Sequence, residues 1–232
     1  EKLKKIKFTI SKIFYNSPIY GKLNFDELSN YTEIVIPNLW GGDIEKIKNF
    51  LKYKVPSNDN TKNPFFFYFH SFDFLNDLQE INNEKLRIHG RELAANWVKK
   101  NNSWKSKTWD DFILATRICN WLKNYNFFFS TADEKFKKEI FNSILKQIEH
   151  LVKNFSNLKR NSDLIRIIKA LIYVSISIPN KKYYYQIAIF NLKSELTKQI
   201  LNDGCHFQRN PKIHLQVLMD LLDIRAILNS TK

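Results

Sequence analysis

The stretch that decides the fold class is NSDLIRIIKALIYVSISIP, residues 161–179. Asn161 or Ser162 can cap the start of a helix, and Pro179 ends it. Between these ends, isoleucine, leucine and valine occupy much of the helix circumference, which is typical of a helix buried on more than one side. The stretch therefore predicts an inner helix that other helices surround.

Helical periodicity continues on both sides of this stretch. A short helix is predicted over residues 71–78. Apolar residues recur at three- and four-residue spacing in five longer segments, over residues 83–100, 108–122, 131–155, 182–201 and 211–228. The connections between the six long helices are roughly 4–9 residues, which favours antiparallel neighbours. The predicted fold is therefore all-α, an incomplete α/α toroid built from three antiparallel helical hairpins.

The N-terminal quarter of the chain has a different composition. Prolines and glycines interrupt it, and two β-branched runs at residues 8–10 and 34–36 favour extended structure. We expect an irregular segment over residues 1–64 that packs on a helical toroid domain over residues 65–232.

The chain is strongly basic, with a formal net charge of +14. This charge favours a polyanionic partner such as nucleic acid, an acidic membrane face or an acidic polysaccharide, although a lysine-rich solvated surface explains it equally well. The lysines are dispersed through the helical segments and no nucleic-acid motif is present, so nucleic acid is a poor candidate. No apolar window is long enough for a membrane span, and the N-terminus lacks an apolar signal core.

Motifs for metals and cofactors are missing from the sequence. Cys119 and Cys205 follow no metal or redox spacing, so two buried free thiols are expected rather than a disulfide. The five histidines are scattered, and no glycine-rich phosphate loop is present. We therefore expect no metal and no cofactor.

The segment DGCHFQRNP, residues 203–211, links the end of one predicted helix to the start of the next. Gly204 suits the left-handed position after a helix, and Pro211 suits the first turn of the following helix. His206 and Arg209 would then lie near a helix N-terminus, where amide groups favour anions and an arginine can bind a carboxylate. A polar turn whose His and Arg satisfy helix carbonyls is the alternative.

Four segments together resemble the heparinase II/III-like family. QILNDGCHFQRNPKIHLQVLMDLLDIRAIL (199–228) is similar to its most specific motif, and FHSFDFLNDL (69–78), WDDFILATRICNWL (109–122) and residues 161–179 are similar to three further segments in the same order. The resemblance implies a bacterial protein, cytoplasmic or periplasmic, whose helical toroid forms one wall of a glycan-binding cleft. A C-terminal β-sandwich, for which this chain has no sequence, would be the partner that forms the other wall.

The resemblance also implies a chemistry. Lyases of the family cleave acidic polysaccharides by β-elimination, in which a base removes a proton from a uronate and an acid protonates the leaving oxygen. It assigns catalytic positions to Asn161 and His214, whereas Ser162 and Ile213 stand where the family has histidine and tyrosine. Because serine and isoleucine cannot transfer protons in their place, we expect catalysis to need a further domain.

The substrate-binding positions that the resemblance implies are His70, Arg117, Asn120, Trp121, His206 and Arg209. In this interpretation Arg117 pairs with a sugar carboxylate and Trp121 stacks on a sugar face. The alternative is that Arg117 links neighbouring helix ends through Asp73 or Asp110. Two hypotheses follow for the whole chain. It is the acidic-polysaccharide-binding helical domain of a lyase, or it is a non-catalytic scaffold that binds a glycan or a protein.

Overall fold

The computed structural model describes residues 36–53, 56, 60–101, 107–155, 162–178 and 181–231. These residues form ten helices and no β-strand, which confirms the predicted all-α class. The helices are α1 (Ile44–Leu51), α2 (Phe66–His70), α3 (Phe74–Ile81), α4 (Glu84–Asn101), α5 (Asp111–Lys123), α6 (Tyr125–Phe128), α7 (Glu134–Asn154), α8 (Ser162–Ser177), α9 (Tyr183–Gln199) and α10 (Pro211–Ser230). None of them is long and apolar enough to cross a membrane.

Helix α8 is the centre of the packing, as its apolar circumference predicts. It contacts α7 and α9, which are its neighbours along the chain, and also α5 and α10. Helix α4 likewise packs on α7, with one long helix, α5, between them in the sequence. Long helices therefore pack on the next long helix but one in the sequence as well as on their direct neighbours. This is the packing expected of stacked helical hairpins, and closure of the array into a toroid stays a prediction.

The directions of α8 and α10 follow from ion pairs between them. Arg166 in α8 contacts Asp220 in α10, and Lys169, one turn further along α8, contacts Asp223, about one turn further along α10. The two helices therefore run parallel. Arg166 also donates a hydrogen bond to Thr116 of α5, so it connects α8 to α5 as well as to α10.

The helices begin where side chains can satisfy free backbone N–H groups. The carboxylates of Asp110 and Asp133 accept hydrogen bonds at the starts of α5 and α7, and Asn210 does so at the start of α10. Such a cap stabilises a helix by about 1 kcal/mol. The prediction of Pro211 in the first turn of α10 is confirmed, whereas α5 and α7 begin about three residues later than predicted.

A helix also forms in the N-terminal segment that the sequence suggested to be irregular. Helix α1 buries Ile47 and Phe50 and packs on α3. The Phe50 ring contacts Tyr68 and Phe74. The β-branched run at residues 8–10 lies outside the described residues, and Ile36, the described end of the second run, is not in a strand.

The helix predicted over residues 71–78 begins three residues later, at Phe74, because a sharp turn separates it from α2. Ser71 ends α2 instead of starting a helix, and Phe72 follows with a φ of 58°. The Asp73 N–H donates to the Tyr68 carbonyl, which closes the turn. A left-handed conformation costs a non-glycine residue about 1–2 kcal/mol. Burial of the Phe72 ring against Trp121 more than offsets this cost.

Candidate functional site

A polar cavity of about 340 Å³ lies where the segment before α1 meets α3, α5, α8 and α10. We call it the polar pocket. Most of the residues that line it have charged or amide side chains. The charged and amide residues are Asp43, Lys46, Asp73, Asn76, Asp77, Asn120, Lys123, Arg166, Lys169, Asp220 and Asp223, and the others are Trp40, Gly41, Gly42 and Met219. A cavity of this size is at the lower end of the range for small-ligand sites, about 300–1,000 Å³.

The inner wall of the pocket is a buried network of charges. Asp220 is fully buried, and its Oδ1 lies 2.6 Å from Arg166 Nε and 2.5 Å from Lys169 Nζ. Lys169 Nζ also lies 2.9 Å from Oδ2 of Asp223. Each carboxylate in this wall is therefore neutralised by a cation of α8, and these ion pairs hold the inner wall of the pocket between the parallel helices α8 and α10.

The pKa values of the two cations reflect this pairing. Burial lowers the pKa of both Arg166 and Lys169, and the charge of Arg166 lowers that of Lys169 further. Asp220 and the other acidic groups nearby together outweigh these effects, so each pKa lies above its ordinary value. Burial raises the pKa of the nearby Cys119 thiol to about 11. Both basic groups are thus charged at neutral pH, and Cys119 is a neutral, buried thiol.

Lys123 differs from the other cations of the pocket. Lys46 lies 3.5 Å from Asp73, and Arg166 and Lys169 hold Asp220. Among the described residues, no carboxylate lies within 4 Å of the Lys123 ammonium. Burial, and then the positive charge of Lys169, lower the pKa of Lys123. Its charge is therefore the least compensated one in the pocket, and an incoming anion would stabilise it.

Amide side chains form the opposite wall. Asn76 donates to Oδ1 of Asn120 at 3.2 Å, and Asn120 donates to the Ser71 carbonyl at 3.1 Å. Asn124 donates to Oδ1 of Asn76 at 2.9 Å. These bonds link α3 to α5 and present amide and carboxylate oxygens, including that of Asp73, to the pocket.

The segment of residues 36–43, which we call the strap, closes the pocket on one side. The Asp43 N–H donates to Oδ1 of Asp77 at 2.8 Å, and the Tyr68 hydroxyl donates to the other oxygen of Asp77. At the middle of the strap, the Trp40 indole N–H donates to Oδ1 of Asp223 at 2.8 Å. The strap is thus attached to both α3 and α10.

Three of the predicted site residues lie together in the protein interior. Arg117 is fully buried and donates to the carbonyls of His70 and Thr108 and to the Gln147 side chain. His70 is also buried, and its Nδ1 accepts a hydrogen bond from Trp97. Trp121 is buried between aromatic rings. Arg117 as placed links α5 to neighbouring segments through carbonyl and amide oxygens, and it forms no ion pair with Asp73 or Asp110, the partners that the alternative named.

Two others, His206 and Arg209, lie in the loop before α10, and His214 lies near the start of α10. His206 is fully buried, and its ring Nε2 is 3.1 Å from the Gln199 side chain. The backbone N–H of His206 donates to Nδ1 of His214. Arg209 is exposed, has a φ of 51° and pairs with Asp203. Burial, and then His214, lower the pKa of His206, which is therefore neutral at pH 7.

The geometry of this loop differs from the prediction in two respects. Gly204 has a φ of 82°, yet it closes a turn with Leu201 instead of following directly on α9, which ends at Gln199. Backbone pairing between Ile200 and His206 intervenes. Both cysteines are free thiols, but Cys205 in this loop is exposed rather than buried.

Of the predicted site residues that the structure describes, one, Asn120, lines the polar pocket. Asn161 lies outside the described residues, and Ser162 is the first residue of α8. Sequence reasoning missed the charge network, although a signal was present: Arg166 and Lys169, like Asp220 and Asp223, are three residues apart and so share a helix face. Among the described residues, no group of three side chains could hold a metal ion.

Comparison with known proteins gives one match. The sequence model of the family described as the heparinase II/III N-terminus matches residues 74–232, which is more than half of the chain. The matched residues run from α3 through α10 and include the charge network and Lys123, whereas the strap and α1 precede them. No curated protein and no solved structure matches the chain significantly.

Proposed function

Since the chain belongs to the heparinase II/III N-terminus family, we propose that this polysaccharide lyase-related domain binds an acidic polysaccharide in the polar pocket. The observation that supports this most directly is Lys123, which lines the pocket and has no carboxylate within 4 Å of its ammonium among the described residues. A sugar carboxylate or sulfate would supply the missing anion. The net charge of +14 would in addition attract a polyanion from a distance.

The carboxylates of the pocket do not oppose this proposal. Asp220 and Asp223 are paired with the cations of α8. Asp77 accepts hydrogen bonds from Tyr68 and from the Asp43 N–H, and burial raises its pKa. Asp73 is paired with Lys46, and Asp43 caps the start of α1. Lys123 is therefore the cation of the pocket without a carboxylate partner among the described residues, while Asp73 and the amides can accept hydrogen bonds from sugar hydroxyls.

We propose further that proton transfer for β-elimination comes from a domain other than this one. Ser162 and Ile213 occupy positions where the resemblance to lyases calls for histidine and tyrosine. Ile213 is half-buried and its N–H donates to the Asn210 cap, so it serves the start of α10. The same substitutions support a second candidate function, a glycan-binding scaffold without catalytic activity.

Calorimetric titration tests the binding proposal. Size-defined oligosaccharides of uronates and of sulfated glycans are titrated into the chain and into Lys123→Gln. A charged hydrogen bond contributes about 1.5–3 kcal/mol, so Lys123→Gln should bind about 10- to 100-fold more weakly. Lys193→Gln removes the same charge from the exposed face of α9 and should bind like the unmodified chain. Equal affinities for the two variants would refute the proposal.

Two additional measurements place the site and the chemistry. The affinity of Arg209→Ala for the same oligosaccharides shows whether the loop before α10 contributes to binding. A loss of affinity as large as that of Lys123→Gln would extend the site to the loop. Ultraviolet absorbance of an unsaturated uronate reports β-elimination. We expect none from this chain alone with a glycan that it binds, and product formation would assign the proton transfers to its own residues.

A further inference from the structure

We infer that Trp40 is the surface on which a sugar ring stacks, and that the strap holds this indole in the polar pocket. The inference rests on the proposed function, because it names the second contact of the same ligand. It adds to a charge contact at Lys123 a contact with the sugar ring itself. The ligand class is then an acidic pyranose rather than an anion of any shape.

The first support is the unused ring of Trp40. Trp97, Trp109 and Trp121 are buried, and each has ring contacts with other side chains. Trp40 lines the pocket, is half-buried, and has no ring or cation stacked on it among the described residues. Among the tryptophans that the structure describes, Trp40 is therefore the one that lines the same pocket as Lys123 and has no aromatic or cationic partner in the described residues.

The second support is that the ring is fixed in orientation. The Trp40 N–H donates to Asp223 at 2.8 Å, across a sequence separation of 183 residues. The other oxygen of Asp223 lies 2.9 Å from Lys169, so the acceptor is itself held by the charge network. A ring that is already oriented loses little conformational entropy when a ligand stacks on it.

The third support is the close fit of the strap against α3. A methyl group on Gly42 would lie 2.6 Å from the Asn76 carbonyl oxygen and 2.6 Å from Asp77 Cα. Only glycine permits this approach. At Gly41 the nearest atom would be 3.7 Å away, which is an ordinary contact. The backbone directly after Trp40 is therefore positioned by packing as well as by hydrogen bonds.

Sugar chemistry matches this arrangement. One face of a pyranose ring presents C–H groups with a slight positive charge, and the face of an aromatic ring is negative. The acid group of the same sugar is a partner for an ammonium. A pocket that combines an indole with an ammonium therefore selects a ring that carries an acid group, and it discriminates against a small inorganic anion.

Binding measurements on Trp40→Leu and Trp40→Phe test the inference. We expect Trp40→Leu to weaken binding of a uronate oligosaccharide by about 5- to 10-fold, the value of an aromatic contact. Trp40→Phe should retain part of the affinity because it keeps an aromatic face. Neither variant should alter the binding of inorganic sulfate. Ligand should also shift the tryptophan fluorescence of the unmodified chain and leave that of Trp40→Leu unchanged.

The two adjacent glycines provide a matched control. Gly42→Ala should weaken oligosaccharide binding as Trp40→Leu does, since the added methyl group displaces the strap, and Gly41→Ala should have no effect. Thermal unfolding verifies that both variants are folded. If Trp40→Leu and Gly42→Ala bind like the unmodified chain while Lys123→Gln does not, the inference is overturned and the proposed function stands. If Lys123→Gln also binds normally, the proposed function fails.

Discussion

Asp220→Asn is the substitution that most directly tests the buried charge network. Asp220 is fully buried and contacts two cations, Arg166 Nε at 2.6 Å and Lys169 Nζ at 2.5 Å. Asparagine has nearly the same shape but no charge, so Arg166 would lose its carboxylate partner and Lys169 would keep only Asp223. Removing one partner of a buried ion pair costs about 3–5 kcal/mol. At 2–4 °C per kcal/mol, the melting temperature should fall by roughly 6–20 °C.

Urea denaturation followed by circular dichroism measures this loss as a change in the free energy of unfolding. Asp203→Asn is the matched control, because Asp203 and its partner Arg209 both have side chains about half exposed. Exposed ion pairs contribute little, so this variant should unfold close to the unmodified chain. A loss for Asp220→Asn that is no larger than for Asp203→Asn would refute the reasoning.

Three further predictions concern single buried or strained residues. Phe72→Gly relieves a left-handed backbone but removes a fully buried ring, so the free energy of unfolding in urea denaturation should fall by about 2–4 kcal/mol. Asn82 is exposed and has a φ of 48°, so Asn82→Gly should be neutral or slightly stabilising. Arg117→Lys keeps the charge but cannot reach several separate acceptors at once, and we expect a loss of about 2 kcal/mol or more by the same assay. Burial, and then Asp110, raise the pKa of Asp111 to about 6, so the folded state holds this proton more tightly than the unfolded chain and loses stability as pH rises from about 4 to 6. Asp111→Asn removes that loss. Because the Asp111 side chain is partly exposed, the substitution should stabilise the chain by only about 1 kcal/mol at pH 7, and it should have no stabilising effect at pH 3.5. Urea denaturation midpoints at the two pH values measure the difference.

The parts of the fold that the sequence predicts are those that depend on local signals. The apolar circumference of residues 161–179 correctly indicates a central helix, and Pro211 marks the start of α10. The turn at Phe72 has no such signal, because a bulky residue adopts its left-handed conformation only when tertiary contacts with Trp97 and Trp121 compensate the cost. Helix α1 does have a local signal, since Ile44, Ile47 and Leu51 recur at three- and four-residue spacing after the Asp43 cap, and sequence reasoning missed it.

The candidate site is less predictable for a related reason. The acceptors of Arg117 are largely backbone carbonyls of distant segments, and no residue type in the sequence reveals a carbonyl as a partner. Spacing alone could have indicated the charge network, since Arg166 and Lys169 share one face of α8. It could not have added Trp40, whose partner is 183 residues away.

The same carboxylates that hold α8 and α10 together also orient the pocket, and this determines which residues can report on binding. A change at Asp220 or Asp223 alters both the stability of the helical core and the position of Trp40, so a loss of affinity would have two causes. Lys123 lines the pocket with no ion pair among the described residues, and its replacement leaves the network intact. Replacement of Trp40 removes one hydrogen bond to Asp223 but none of the ion pairs between the helices. Because the fold does not need these two side chains for charge balance, a ligand is the partner that their placement in the pocket favours.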